Sequence, residues 1–265
     1  MNLADIGKFT AQLAPRILIH GAEGVGKTTI ASKFPAPIFL QTEDGCPGGL
    51  EIDSFGFIDN FADLRSTIGA LASEQHHYQT VVIDSLDATE ELIWHDACRS
   101  EGWSSIESPG YGKGYVIVDS WWIDILKGLE FLRRRIGMSV VLLAHSAIET
   151  INDPRAASYT SYQLLLHKRA RGLVQVDAIG FLAPDLHVQS EEVGFGKKRN
   201  RADGGSQRWL HFEARPSFVA KNRYDLPAKM PVPKNFSYGA LAPYLPPQPS
   251  AAIIDGKPKP KQEGG

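Results

Sequence analysis

Cysteine is scarce. Cys46 and Cys98 are the only two among 265 residues. They form neither a metal-type spacing nor a disulfide framework, which points to a reducing compartment, the cytoplasm. Charge of one sign is lacking too. The 28 Lys and Arg against 30 Asp and Glu leave a net charge of −2, so any contact with nucleic acid must rest on local patches. No apolar run is long enough to span a membrane. No basic start leads into an apolar leader segment, and no internal repeat is found. What is present is an ordinary globular mixture, 43% hydrophobic and 22% charged, at a length suited to one well-buried α/β domain.

Short apolar runs alternate with helical patterns, the signature of a mostly parallel sheet covered by helices. Strands are expected at Ile17–Ile19, Pro37–Leu40, Val81–Ile83, Val140–Leu143 and Ile179–Leu182. A helix is expected from Lys27 to just before Pro35. A second is expected on Phe61, Leu64, Ile68 and Leu71, with Asn60 as its cap. Asp87 and Glu90 resemble a capping box for a helix reaching Cys98. Val118, Trp122, Ile125, Leu129 and Leu132 predict a long amphipathic helix, closed by Arg133, Arg134 and Arg135 where cations suit the dipole. Beyond Pro184 the pattern turns antiparallel. Val188–Gly196 and Arg208–Glu213 read as a hairpin around a basic loop. Nine of the 17 prolines fall from Pro227 onward. The domain is therefore expected to span residues 1–238, with a proline-rich, disordered tail over 239–265.

Gly21-Ala22-Glu23-Gly24-Val25-Gly26-Lys27-Thr28 fits G-x-x-x-x-G-K-[ST] at every fixed position, with a strand before it and a helix after. Such a loop curls so that its N–H groups face the phosphates of a nucleoside triphosphate, and the helix that follows adds its positive end. The nucleotide site is expected over Gly21, Glu23, Gly24, Val25, Gly26, Lys27, Thr28 and Thr29. Lys27 supplies charge to the β- and γ-phosphates, and the Thr28 hydroxyl supplies a magnesium ligand. Asp84, closing an apolar strand, is the second magnesium residue. Hydrolysis also needs a group that takes or orients a water proton. Glu43 is the candidate, with Asp44 beside it; Glu23 is less suited because its position faces outward. His145 ends the fourth strand, as a donor to the γ-phosphate or as a histidine satisfied by backbone groups.

Together these segments resemble the RecA-like ATPase core. More closely they resemble the short RecA-like ATPases of bacteriophages that act as single-strand annealing proteins. The resemblance runs from about Ile6 to Tyr238. Besides the phosphate loop it is carried by Thr42-Glu43-Asp44-Gly45, Gly110-Tyr111-Gly112-Lys113-Gly114-Tyr115, Leu166-His167-Lys168-Arg169-Ala170 and Ala220-Lys221-Asn222-Arg223-Tyr224. It implies ATP and Mg2+ as ligands and Glu43 as the catalytic carboxylate. His145 would be the γ-phosphate sensor, where RecA itself has Gln. It further implies a ring or filament of identical subunits with ATP between them. Lys221 and Arg223 would then reach a neighbour's γ-phosphate, against the plainer reading of loop salt bridges.

The resemblance also implies single-stranded DNA as partner, touched by mobile loops at Ser104–Tyr115 and Ala147–Arg171. Cations that neutralise phosphates and aromatic faces that stack on bases are present in both. Tyr111, Lys113 and Tyr115 lie in the first loop, and Arg155, Lys168, Arg169 and Arg171 in the second. Lys197, Lys198 and Arg199 form a third patch on the hairpin loop. The tail recruits a partner such as a single-strand-binding protein, or only solubilises the chain. The first strand begins near Ile17, which leaves little chain for a recombinase-type polymerisation arm. The implied function is an ATPase for annealing or homologous pairing in phage recombination. A helicase or helicase loader, a kinase without DNA, and a nucleotide switch remain as alternatives.

Overall fold

The computed structural model describes the backbone of residues 13–192 and 198–247, with side chains outside 186–204 and 206. The expected patch residue Lys197, the tail from residue 248 and the first 12 residues lie outside it. The described chain runs β1 (Arg16–Gly21), α1 (Lys27–Ala31), β2 (Pro37–Gln41), β3 (Asp53–Phe57), α2 (Phe61–Ser73), β4 (Thr80–Asp84), α3 (Leu86–Glu101) and α4 (Lys113–Phe131). It continues through β5 (Ser139–Ile151), β6 (Tyr159–Leu164), α5 (Lys168–Leu173), β7 (Ala178–Glu192), β8 (Lys198–His211), β9 (Lys221–Asn222) and β10 (Lys229–Val232). The main sheet has the order β10-β8-β7-β1-β5-β4-β2-β3. Every pair from β7 through β1, β5, β4 and β2 to β3 is parallel. The β7–β8 and β8–β10 pairs are antiparallel. This is the mostly parallel, helix-covered P-loop sheet that the motifs implied.

Residue alternation explains why both faces are buried. Leu18, Val81, Ile83, Val140 and Leu142 point to one face, where they pack with Leu64, Ile68, Trp122, Ile125 and Leu129 of α2 and α4. Ile17, Ile19, Val82, Val141 and Leu143 point to the other. There they meet Ile30 and Phe34 at α1 and, from the C-terminal segment, Met230, Phe236, Leu241 and Leu245. A central strand buried on both sides reads as a continuous aliphatic run.

Several local expectations change. The Asn60 cap is present, with its side chain accepting from the Asp63 N–H. The α3 cap is Ser85, not Asp87: the helix starts directly where β4 ends, and Ser85 Oγ accepts from Ala88 N–H. Asp87 and Glu90 are thereby freed for contacts with other elements. The three arginines after α4 lie in a π-helical turn, Leu132–Ile136. Arg133 is buried there, donating to Ala14 O at 2.7 Å and pairing with Asp177 at 2.9 Å.

The expected fifth strand and the first arm of the hairpin are one strand, β7, carried past Pro184 by an irregularity between Pro184 and Leu186. Its partner β8 begins at Lys198, so Lys198 and Arg199 are strand residues in register with Glu192 and Glu191 rather than loop residues. The expected mobile loop at Ala147–Arg171 is largely ordered as well. β5 runs on to Ile151 and pairs antiparallel with β6, and α5 follows. No residue of the 146–151 extension is fully buried, and Ile148 and Thr150 are exposed. In the first loop, Lys113 and Tyr115 already belong to α4. The packed chain also passes the expected tail boundary at 239, because Leu241 and Leu245 are core residues.

Candidate nucleotide site

β1 ends at Gly21, and its continuation to α1 forms the phosphate loop. Gly21 is pressed against β7: a Cβ there would sit 2.4 Å from Leu182 O. Gly26 has φ 104°, in the left-handed region that glycine tolerates. The loop opens onto a cavity of about 390 Å³, lined among others by Glu23, Lys27, Thr28, Glu43, His145 and Arg208. β1, β2 and β4 end here and β5 passes through at His145, level with Gly21, on the side where parallel α/β sheets hold ligands.

Lys27 is 5% exposed, and its ammonium donates to Ala22 O at 3.1 Å. Burial lowers its pKa, against the opposing pull of Glu43, Asp84, Asp87 and Glu23. Thr28 Oγ1 donates to Asp84 Oδ2 at 2.8 Å. Asp84 Oδ1 is buried with no hydrogen-bond partner, and burial raises the pKa of the carboxyl. A buried, unpartnered carboxylate oxygen beside a threonine hydroxyl is a hard oxygen donor set, and it fits Mg2+.

Glu43 reaches the cavity by a short bridge of hydrogen bonds. Thr42 N–H donates to Asp84 O at 2.9 Å, and Thr42 Oγ1 to Ser85 O at 2.8 Å. These fix the chain leaving β2 against the end of β4. Ser85 Oγ then donates to Glu43 Oε2 at 2.8 Å. Ser85 thus caps α3 and also orients the candidate catalytic carboxylate.

His145 is held from α3. One oxygen of Asp87 accepts the His145 backbone N–H at 2.9 Å, and the other lies 2.7 Å from Nδ1. Glu43 Oε2 stands 3.8 Å from the same ring nitrogen. Glu43, Asp87 and His145 offer ligand atoms within 4.8 Å of one another, all in this one site. The hydrogen bond to Asp87 raises the His145 pKa above the ordinary imidazole value. Burial alone would raise Asp87, but the ring and backbone bonds from His145 hold it below the usual carboxylate value. The His145 share of stability is therefore complete below the ordinary imidazole pKa and lost as pH climbs through the raised one. The Asp87 share is complete above the ordinary carboxylate pKa and lost in acid. Both are present together from about pH 4 to 6.5. Asp87→Asn is expected to return the His145 ring toward ordinary titration, followed by NMR of its ring protons. A titration unchanged by the substitution would remove the pairing.

One helical turn on, Glu90 carries the same helix toward the α5 region. It is buried, accepts His167 N–H at 2.8 Å, and is pushed by burial up to about 7. His167 stacks on Tyr115, with ring centroids 4.1 Å apart and planes at 12°. The structure thus joins the expected first and second DNA loops. Tyr111 is fully exposed at φ 50°, and Lys113 and Lys168 are exposed. Of the other basic candidates in these two loops, Arg155 pairs with Asp153, Arg169 with Asp119, and Arg171 with Glu149 and Leu166 O. Lys221 and Arg223 lie beside the start of β7, at the end of the sheet away from the phosphate loop. Lys221 donates to Val176 O, and Arg223 pairs with Asp177 at 3.5 Å.

Three residues of the site escaped sequence reading. Asp87 is legible only as a helix-start residue, and Ser85, just past the end of an apolar strand, carries no signal of its own. Arg208 had no local signal, since it comes from β8 and donates to Val25 O at 3.0 Å. No described helix is long and apolar enough to cross a membrane.

The SPbeta prophage-derived uncharacterized protein YorG of Bacillus subtilis (strain 168) is 24% identical over 137 residues, covering 49% of this chain and 41% of that protein. The chain therefore spans about two fifths of that relative's length. A crystal structure of the RadB recombinase aligns over 78% of this chain and 86% of its own, at 16% identity and a TM-score of 0.41. The AAA domain family matches residues 13–224, phosphate loop, acid-ended strands and His145 included. The chain belongs to the AAA domain family, P-loop ATPases that bind nucleotide, usually with Mg2+.

Proposed function

We propose that this protein hydrolyses ATP and binds single-stranded DNA, promoting annealing or homologous pairing in phage recombination. The observation that carries the ATPase part of the reading is the convergence of Lys27, the Thr28–Asp84 pair, Glu43 and His145 on one cavity. Lys27 and the loop N–H groups bind the phosphates. Thr28 and Asp84 would hold Mg2+, which neutralises charge on the β- and γ-phosphate oxygens. Glu43, oriented by Ser85, takes the proton of the attacking water. His145, fixed by Asp87, donates to the γ-phosphate.

DNA binds where Tyr111, Lys113 and Lys168 are exposed around the Tyr115–His167 stack. Helix α3 links the two sites, since Asp87 grips the nucleotide side and Glu90 the α5 side. Subunits stack head to tail, so that Lys221 and Arg223 approach the neighbour's phosphate. The prophage origin of the relative supports a phage setting. The free thiols Cys46 and Cys98 suit a host cytoplasm.

The test is ATP turnover with and without circular single-stranded DNA, beside an annealing assay with complementary strands. Turnover is expected to rise about tenfold or more with DNA, and annealing to require ATP. Turnover indifferent to DNA, with no DNA binding in the presence of ATP, would reject the annealing reading and leave a kinase or protein-directed switch.

A further inference from the structure

We infer that Arg208 is a second phosphate-contacting cation of the nucleotide site, supplied in cis by the antiparallel strand β8; this rests on the nucleotide-binding reading above. Register places Arg208 opposite Pro184 of β7 and Val232 of β10. From there its guanidinium reaches across to the phosphate loop and lines the same cavity as Lys27, Thr28, Glu43 and His145. One nitrogen donates to Val25 O at 3.0 Å. The fit to the loop is close: a Cβ on Gly26 would lie 2.2 Å from that nitrogen. Gly26 is a fixed glycine of the loop motif, held at φ 104°, so the arginine tip rests against a position that carries no side chain.

Charge gives the contact its purpose. Glu23, Glu43 and Asp44 line the cavity, and Asp84 and Asp87 act on Lys27 from behind it. A triphosphate entering this acid-rich cavity gains from positive charge beyond that of Lys27. Among the described residues the partner of Arg208 is a neutral carbonyl, which leaves its charge uncompensated. A guanidinium carries five N–H donors in a planar fork. With one spent on Val25, the others suit phosphate oxygens, which arginine binds in pairs.

The experiment measures displacement of a fluorescent ATP analogue by ATP, ADP and AMP, with Mg2+, on full-length wild type, Arg208→Ala, Arg208→Lys and Lys27→Ala. Thermal melting without nucleotide accompanies it. Arg208→Ala is expected to weaken ATP and ADP by about 10–100-fold and AMP by less than about threefold, with Arg208→Lys recovering part of the loss. Melting without nucleotide is expected to stay near that of wild type. Equal loss for all three nucleotides would mean a contact to the base, ribose or α-phosphate that they share, and would overturn a contact to the β- and γ-phosphates. So would unchanged affinities, or losses that appear only with a lowered melting temperature in both Arg208 variants. If wild type binds none of the nucleotides, or Lys27→Ala binds them as wild type does, the nucleotide-site reading itself fails, and that result is distinct from the others.

Discussion

Lys27→Ala is expected to abolish measurable nucleotide binding and to cut ATP turnover by at least about 100-fold. The ammonium sits on the loop carbonyl of Ala22, at the floor of the cavity. Burial already disfavours its charge, and Glu43, Asp84, Asp87 and Glu23 keep it available. Bound phosphates strengthen that support, so the charge is worth most when nucleotide is present. Its removal from the free protein relieves a desolvated cation and leaves the packed faces of the sheet intact. Circular dichroism and melting without nucleotide should therefore stay close to wild type while binding is lost. Turnover retained in this variant would mean that the loop does not hold the triphosphate.

Glu43→Gln is expected to lower turnover by about 100–1000-fold with ATP affinity within about threefold of wild type. The two amide atoms occupy nearly the space of the carboxylate, and the amide oxygen can still accept from Ser85 Oγ, the bond that orients the native side chain. What disappears is the capacity to take a proton. A residue that merely braced Ser85 would tolerate this change, so the substitution separates chemistry from bracing. The measurement is single-turnover phosphate release beside equilibrium ATP binding. Turnover near wild type would assign the proton to another group, and Asp44, which lines the same cavity, would be the next to test.

What the sequence disclosed and what it hid divide along a physical line. The phosphate loop is contiguous, and its spacing encodes its geometry. Asp84 and His145 close unbroken runs of aliphatic residues, which mark central strands buried on both faces. Glu43 follows the next run, so its place at the C-terminal sheet edge was readable too. β3 was missed because it is short and holds Asp53, Ser54 and Gly56, residue types disfavoured in strands, and its two phenylalanines, Phe55 and Phe57, are exposed rather than in the core. β7 was divided in two because Pro184 interrupts it, and proline ordinarily breaks a ladder. The remaining misses are contacts between distant segments. Asp87 meets His145 across 58 positions, and Arg208 meets Val25 across 183. Neither residue type is unusual in its local sequence; only the fold makes it part of the site. The same holds for Arg169 and Arg171, whose charges look free along the chain but meet Asp119 and Glu149 in space.

The C-terminal segment bears on where this domain can be cut. The family match ends at Tyr224, yet Met230, Val232, Phe236, Leu241 and Leu245 lie 7% exposed or less against the α1 face of the sheet. Each such side chain is worth about 1.5–3 kcal/mol of burial. A chain trimmed at the match would bare Ile17, Ile30 and Phe34, directly behind the phosphate loop. The shortest version that keeps this face dry runs through Leu245. The proline-rich stretch that looks like a tail therefore begins as a structural lid on the core.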